Sequence, residues 1–331
     1  MLKDYWYTAC ASSQLSETPM ARLMLEENIV LFRDATGTAR ALIDRCCHRG
    51  VKLSLGKVKG GVLACGYHGW QFDGTGKCVH IPSLCDGAKV PTRFEVRSFP
   101  CVEQDHYVWI WMGSGAPVPQ RPPALRAAQE YHWRQGAVAV KCSAAMFIEN
   151  QLDGAHPPFA HKGTHPAYFF NRLKGFREYD YEVRLDDTGL VIFYPPTSSA
   201  EEPVPATADS VVRFELPNRV YVLQRGKTAD LFSVLHMVPE TAATCRIEWL
   251  LRQLDGGVTW MNDEPKTLEQ DRILQESAQI NYDIEGDCFE RSVAADYATL
   301  LARKILHLAE RGAWETGRAT LTQRKLVHVR Q

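Results

Sequence analysis

Hydrophobic and polar positions change rhythm several times along the chain. Between Glu26 and Ile43 an apolar run, Ile29-Val30-Leu31-Phe32, gives way to polar turn residues from Asp34 to Thr38. A second apolar run, Ala41 to Ile43, follows. This is the pattern of strand, turn and strand. Glycines then recur at Gly50, Gly56, Gly60, Gly61, Gly66, Gly69, Gly74 and Gly76. That spacing interrupts helices and suits short strands joined by tight turns. Tyr107-Val108-Trp109-Ile110-Trp111-Met112 reads as a buried strand, because aromatic and β-branched side chains pack well on a pleated surface. Next comes Gly113-Ser114-Gly115-Ala116-Pro117-Val118-Pro119, with Pro122 and Pro123 beyond it. This is the clearest linker signal in the chain. It predicts a first domain over residues 1–116 and a second over 117–331.

The second part mixes periods. Alternating or continuous apolar segments predict strands over Glu182 to Leu185, Leu190 to Tyr194, Val211 to Leu216, Arg219 to Leu223, Ser233 to Val238 and Cys245 to Leu251. Helical spacing appears in Lys266 to Ile280 and in Ala294 to Arg311. Strands grouped together and followed by helices imply an α+β domain built on an antiparallel sheet.

Composition narrows the function classes. The chain has 331 residues, 45% hydrophobic and 23% charged, with a formal net charge of -1. Such a balance excludes a partner held by a large basic field, whether nucleic acid or an anionic membrane. No apolar run reaches the length of a membrane span. Met1 to Cys10 carries Lys3 and Asp4 among aromatics, which is not the layout of a signal peptide. A cytoplasmic protein is expected. Ten cysteines in so long a chain are not a disulfide scaffold. They pose the question of which thiols have histidines at ligand spacing.

Two do. Cys46-Cys47-His48-Arg49-Gly50 is followed by Cys65-Gly66-Tyr67-His68-Gly69-Trp70, giving Cys-x-His, sixteen residues, then Cys-x-x-His. Two short loops, each with a thiolate and an imidazole, can converge on one metal centre. Cys46 and Cys65 would hold one iron of a [2Fe–2S] cluster, and His48 and His68 the other. A tetrahedral Cys2His2 zinc site is the alternative for the same donors. The remaining cysteines are expected to be buried small hydrophobes, including Cys78, Cys85 and Cys101. Cys47 is the one to watch, because it adjoins a ligand.

A second constellation lies at Asn150-Gln151-Leu152-Asp153-Gly154-Ala155-His156-Pro157-Pro158-Phe159-Ala160-His161. The prolines are expected to disturb any helix, leaving a turn to bring the two imidazoles together. Asp153, three residues before His156, could orient that ring with its carboxylate at helical spacing. Two histidines and one carboxylate leave open positions on a non-haem iron. Asp271 is the candidate carboxylate. It is expected to share an apolar helix face with Leu268 and Leu274, where a buried charge needs a partner. Glu269 and Glu276 are expected to face solvent. Arg213, Arg219 or Arg246 could bind a substrate carboxylate, although surface ion pairing is the simpler role for each.

The first constellation, with Phe72-x-x-x-Gly76-Lys77-Cys78 and Ile81-Pro82 downstream, resembles the Rieske iron–sulfur domain. Many members have Pro where this chain has Cys47. Asn-x-x-Asp-x-x-His-x-x-x-x-His with a later Gln-Asp-x-x-x-x-Glu helix is similar to the catalytic domain of Rieske non-haem iron oxygenases. The resemblance spans nearly the whole chain. It implies an all-β Rieske [2Fe–2S] domain followed by a helix-grip (START/Bet v1-like) catalytic domain. By position, His156, His161 and Asp271 would hold mononuclear Fe(II), Asp153 would be the bridging aspartate and Asn150 the asparagine near the iron. His165 falls outside the motif.

The family forms ring-shaped trimers in which His68 of one subunit would meet Asp153 of the next. A homotrimer is therefore expected. No dinucleotide fingerprint is visible, so NAD(P)H would act through a separate flavin/iron–sulfur reductase or ferredoxin. Chain length is similar to the monooxygenase and demethylase branch, which includes vanillate and dicamba O-demethylases. Hydroxylation or demethylation of a small aromatic or cyclic molecule, with O2 as co-substrate, is expected. Ring cis-dihydroxylation is the alternative within the class. An electron carrier without oxygenase activity, or a zinc module, would each explain less of the sequence.

Overall fold

The computed structural model describes residues 1–124, 133–164, 177–194, 210–224, 231–252 and 264–330. The chain forms two compact units, Lys3–Glu130 and Tyr131–Gln331. His165 lies outside the described residues.

The first unit is built from short strands: β1 (Trp6–Ala11), β2 (Met20–Met24), β3 (Glu27–Arg33), β4 (Ala39–Ile43), β5 (Lys57–Lys59), β6 (Val62–Ala64), β7 (Gln71–Phe72), β8 (Cys78–His80), β9 (Ser98–Phe99), β10 (Cys101–Gln104) and β11 (Tyr107–Trp111). They pair in three antiparallel sheets, β1-β11-β10, β2-β3-β4-β9 and β5-β6-β7-β8. β11 is buried along its whole length, as its aromatic and β-branched content requires. Two hairpins turn on residues with positive φ, Leu25-Glu26 and Asp105-His106. Their two-residue loops have the twist that matches paired strands, without the Asn-Gly signature that would mark them in sequence. The Pro-rich segment is hydrogen-bonded within this unit: Trp6 Nε1 donates to the Pro119 carbonyl and Gln104 Nε2 to that of Pro122.

The second unit holds an eight-stranded antiparallel sheet. Its strands are β12 (Trp133–Val140), β13 (Glu178–Leu185), β14 (Gly189–Tyr194), β15 (Ser210–Glu215), β16 (Arg219–Gln224), β17 (Leu231–Pro239), β18 (Cys245–Arg252) and β19 (Arg324–Arg330). The order is β12-β18-β17-β16-β15-β14-β13-β19. All six strands expected in this part are present. The edge strands β12 and β19 carry basic and small residues that mask their period. The helices are α1 (Ala144–Leu152), the single turn α2 (Pro157–Ala160), α3 (Glu264–Glu285), α4 (Tyr297–Glu310) and the short α5 (Trp314–Gly317).

One face of the sheet makes the core. Val183, Leu190, Ile192, Phe214, Val220, Leu235 and Ile247 alternate inward and pack with Phe147 and Ile148 of α1, Leu268 of α3, and Leu301 and Ile305 of α4. The intervening residues, among them Arg213, Arg219 and Arg246, leave the sheet on its opposite face. Each of the three is ion-paired: Arg213 with Asp186, Arg219 with Glu215 and Arg246 with Glu248. Arg219 and Glu215 are both buried, so theirs is not a surface pair.

α1 begins where the Ser143 hydroxyl accepts the Met146 N–H, satisfying one of the free amides of the first turn. Its approach is fixed from α3. Glu276 accepts the Lys141 N–H at 3.0 Å and Gln279 accepts the Ser143 N–H at 2.8 Å. Glu276 is therefore not simply solvated, contrary to the sequence expectation. Phe147 is fully buried between α1 and the sheet. Phe147→Ala should lower the stability of the second unit by about 3–5 kcal/mol, read from its denaturant transition. A loss below about 1 kcal/mol would show that the core closes around the gap.

Candidate functional site

In the first unit, two loops repeat one hydrogen-bond scheme. The Cys46 N–H donates to the Val51 carbonyl and the Gly50 N–H to that of Cys46. The Cys65 N–H donates to Trp70 and the Gly69 N–H to Cys65. Gly50 and Gly69 close these turns at φ of +74° and +69°, a backbone that side chains other than glycine rarely adopt. The scheme places one Cys and one His on each loop. Cys46 and Cys65 are buried in the same apolar cluster as Trp70 and Ile81. The His48 and His68 rings lie 4.7 Å apart, edge to face. His48 also stacks flat on Trp70 at 4.5 Å.

This donor set fits a cluster. Burial, with the neighbouring Cys65 thiol adding to it, pushes the Cys46 thiol up to about 11. A bare Cys46 thiol would thus be neutral at pH 7, and a metal is what would hold it as a thiolate. The His48 Nδ1 is buried with no hydrogen-bond partner among the described residues. A buried ring nitrogen without a partner is costly, and an iron would satisfy it.

Not every cysteine behaves as expected. Cys10, Cys78, Cys142 and Cys245 are buried, but Cys47, Cys85 and Cys288 are exposed and Cys101 is half-buried. Cys85 lies on an exposed loop and Cys288 just beyond α3, where no sheet or helix covers them.

In the second unit, α1 ends at Leu152, and Asp153 turns out of the helix at φ -82°, ψ 103°. His156 is the N-cap of α2 and His161 its C-cap. Pro157 and Pro158 start this turn of helix instead of disturbing it. The first helical positions have no use for their N–H groups, so proline is tolerated there. A one-turn helix with a histidine at each end brings both rings to one side. Their Nε2 atoms are 3.1 Å apart.

Asp271 of α3 completes the group. Its Oδ1 lies 3.5 Å from each of those nitrogens. The three donor atoms form a small triangle that could hold a metal ion. Adjacent donors on one face of an octahedron with bonds of about 2.1 Å lie about 3.0 Å apart. The observed triangle is slightly wider and would need little closure.

The ring tautomers agree with this use. His156 Nδ1 donates to the Asp153 main-chain carbonyl at 2.7 Å. His161 Nδ1 lies 3.2 Å from Gln270 Oε1, which also accepts the Thr164 hydroxyl. With both rings neutral, as metal binding requires, their Nε2 lone pairs would be aimed at the centre of the triangle. The helical spacing expected between Asp153 and His156 is absent, because Asp153 has left the helix. Its carboxylate stands 3.7 Å from His156 Nδ1, and the main-chain carbonyl orients the ring instead.

Charge follows the geometry. Burial alone would lower His156, but the Asp153 and Asp271 carboxylates outweigh it and push the ring up to about 9. Burial dominates at His161 and lowers it. Burial would raise Asp153, yet His156 and the Ala155 N–H hold it below the usual carboxylate range.

Asp271 is 1% exposed. Besides the imidazoles, it accepts Asn150 Nδ2 at 3.2 Å on Oδ1 and Gln151 Nε2 at 3.3 Å on Oδ2. Leu268 shares its buried face as expected, but Leu274 is exposed. Gln151 and Gln270 escaped the sequence analysis, although each adjoins a candidate residue. Their geometry depends on contacts across more than a hundred residues. A further tie holds α1 from its outer side. Arg303 of α4 donates to both oxygens of Glu149, at 2.9 and 2.6 Å, and to both of Glu290. A cavity of about 270 Å³ opens beside His156, lined in part by Asn150, Asp153, Tyr282 and Arg291.

Comparison with known proteins matches both parts of the chain. Residues 5–100 match the Rieske [2Fe-2S] domain, and residues 140–311 match the vanillate O-demethylase oxygenase C-terminal domain. The oxygenase component of dicamba O-demethylase from Stenotrophomonas maltophilia is 36% identical over 178 residues, 52% of this chain and 51% of that protein. An iron–sulfur subunit of the toluene-4-sulfonate monooxygenase system of Comamonas testosteroni is 31% identical over 169 residues, 49% of this chain and 47% of that one. The chain thus spans about half the length of the curated relatives it matches.

Crystal structures share the fold. Dicamba monooxygenase bound to dicamba superposes with a TM-score of 0.74 at 24% identity, covering 94% of this chain and 98% of that one. NdmA of Pseudomonas putida CBB5 with caffeine gives 0.73 at 24%, covering 97% and 96%. The all-β first domain and the antiparallel sheet of the second are therefore those expected. The cofactors are a Rieske [2Fe–2S] cluster and a mononuclear iron, and the zinc alternative falls away. With more than half of its length matched by the second model alone, the chain belongs to the family of Rieske oxygenase components with a vanillate O-demethylase type C-terminal domain.

Proposed function

We propose that this chain is the terminal oxygenase component of a multicomponent Rieske system. It uses O2 and mononuclear Fe(II) to hydroxylate a small aromatic or cyclic substrate, or to remove an O- or N-methyl group from it. NAD(P)H supplies electrons through a separate reductase or ferredoxin. The observation that carries this reading is the His156, His161 and Asp271 triangle, the donor set of a facial iron site, beside a cavity that His156 lines. Dicamba O-demethylase and toluene-4-sulfonate monooxygenase act, by name, on small aromatic compounds, which supports that substrate class here.

Iron, when bound, supplies the positions at which O2 is activated. The protein's own groups prepare those positions. His156, His161 and Asp271 are the ligands. Asn150 and Gln151 hold the Asp271 carboxylate, while Gln270 and the Asp153 carbonyl fix the two rings. The Asp153 side chain is partly exposed and has acceptor capacity to spare. Cys46, His48, Cys65 and His68 hold the cluster, and His68 is exposed. These features support a homotrimer in which His68 of one subunit donates to Asp153 of its neighbour. The described residues include no helix long and apolar enough to cross a membrane. Ten free cysteines suit a reducing cytoplasm.

Three variants test the roles. Asp271→Ala should lose the mononuclear iron and keep the cluster's visible spectrum, so that metal analysis falls from about three irons per chain to about two. Full occupancy would refute the ligand assignment. Asp153→Asn should leave both metal centres in place and cut substrate turnover roughly 10- to 100-fold; near-normal turnover would end the relay role. Gln270→Leu should weaken Fe(II) binding roughly 10- to 100-fold, measured by titration of the iron-depleted protein. Unchanged affinity would mean that packing alone orients His161.

A further inference from the structure

Charge is unevenly distributed in this protein. Its formal net charge is -1, yet the segment from Arg45 to Arg97 holds nine Lys and Arg against three Asp and Glu. All nine basic residues are exposed. Four of them flank the cluster core directly. Val51, Val90 and Phe94 pack against the apolar cluster that contains Cys46 and Cys65. Lys52 follows Val51, Lys89 precedes Val90, and Arg93 precedes Phe94. Arg49 follows His48. Arg49, Lys89 and Arg93 have no acidic partner among the described residues. These three charges are not offset by an ion pair, and the segment as a whole is basic.

Beneath this face runs a stack of rings. The Arg93 guanidinium lies 5.4 Å from the centre of the Phe94 ring. Phe94 lies 5.3 Å from Trp70 at a tilt of 32°. Trp70 stacks on His48 at 4.5 Å and 6°. His68 has a different neighbour, Tyr67, at 3.8 Å. The two imidazoles therefore have separate surroundings. His48 connects through packed rings to the basic face, and His68 is exposed beside Tyr67.

We infer that the face carrying Arg49, Lys52, Lys89 and Arg93 docks an acidic iron–sulfur electron-donor protein, and that Phe94 and Trp70 form the contact path from it to His48. This rests on the reading of the chain as a terminal oxygenase fed by a separate protein. Each encounter transfers one electron, oxidising the donor's centre by one and reducing the cluster by one. No bond forms or breaks, and no proton is taken up at these side chains. Complementary charge speeds encounter more than it deepens the final complex, which suits a donor that must leave after each transfer. Input at His48 leaves His68 free for the neighbouring subunit.

The test uses the holoenzyme and a reduced plant-type [2Fe–2S] ferredoxin as the acidic probe. Cluster reduction is followed by stopped-flow absorbance, and binding of the oxidised pair by calorimetry. The second-order rate should fall about tenfold from low to high salt. The double variant Lys89→Glu/Arg93→Glu should show a similar loss at low salt. Its visible spectrum, and its complete reduction by excess dithionite, should match the wild type. Lys325→Glu, on the edge strand β19, should change nothing. Phe94→Leu should keep the dissociation constant and slow reduction at saturating ferredoxin.

Rates unaffected by Lys89→Glu/Arg93→Glu, or lowered equally by Lys325→Glu, would overturn the docking face. An unchanged limiting rate in Phe94→Leu would overturn the path. Failure of the wild type to show a Rieske spectrum would instead refute the functional reading on which this one rests.

Discussion

A carboxylate with 1% exposure is the constraint around which the second unit is organised. Burying an ionised Asp271 costs several kcal/mol unless its oxygens are met by donors or cations. Asn150 and Gln151 supply two donors from the last turn of α1. The two imidazoles face it from the ends of α2. Each contact demands that α1 and α3 keep one relative position. The opposite end of α1 is held to the same helix through Gln279 and Glu276. Phe147 and Ile148 anchor α1 to the sheet between these ends. The sheet is thus a rigid support, and the polar contacts at both ends of α1 set the distances between donor atoms.

The first unit solves a different problem. Its donors come from two loops, which gain rigidity from repeated main-chain hydrogen bonds and from an apolar floor. Burial that disfavours free thiolates at Cys46 is the same burial that shields a cluster from water. Trp70 serves both tasks, closing the second loop through its carbonyl and covering His48 with its ring.

Much of this was legible in the sequence where the information is local. Cys46-x-His48 and Cys65-x-x-His68 lie within single turns, so their spacing and flanking residues singled them out as candidates. Asp153, His156 and His161 became candidates for the same reason, and Asp271 from its place on a helix together with the family resemblance. What escaped depends on tertiary context. Asp153 uses its carbonyl, not its carboxylate, towards His156, because the helix ends one residue earlier. Pro157 and Pro158 look like helix breakers until the first-turn position of both is known. Leu274 carries an apolar residue to the surface, whereas Leu268 goes inward. The hairpins at Leu25-Glu26 and Asp105-His106 adopt left-handed backbone without a glycine, and no composition rule marks them.

The end of α1 has one more implication. Glu149 is clamped by Arg303, Asn150 and Gln151 reach Asp271, and Asp153 holds His156. The side chains of Glu149, Asn150 and Gln151 are committed to Arg303 or Asp271, the Asp153 main chain to His156, and the fifth position, Leu152, is core. Such a segment has little room for neutral drift, since most single changes disturb a contact around Asp271, Arg303 or the core. The inward-facing positions of the sheet carry no such multiple duty. Diversification among related chains should therefore accumulate on the strands and leave this turn nearly invariant, so that new substrates are acquired without rebuilding the metal centre.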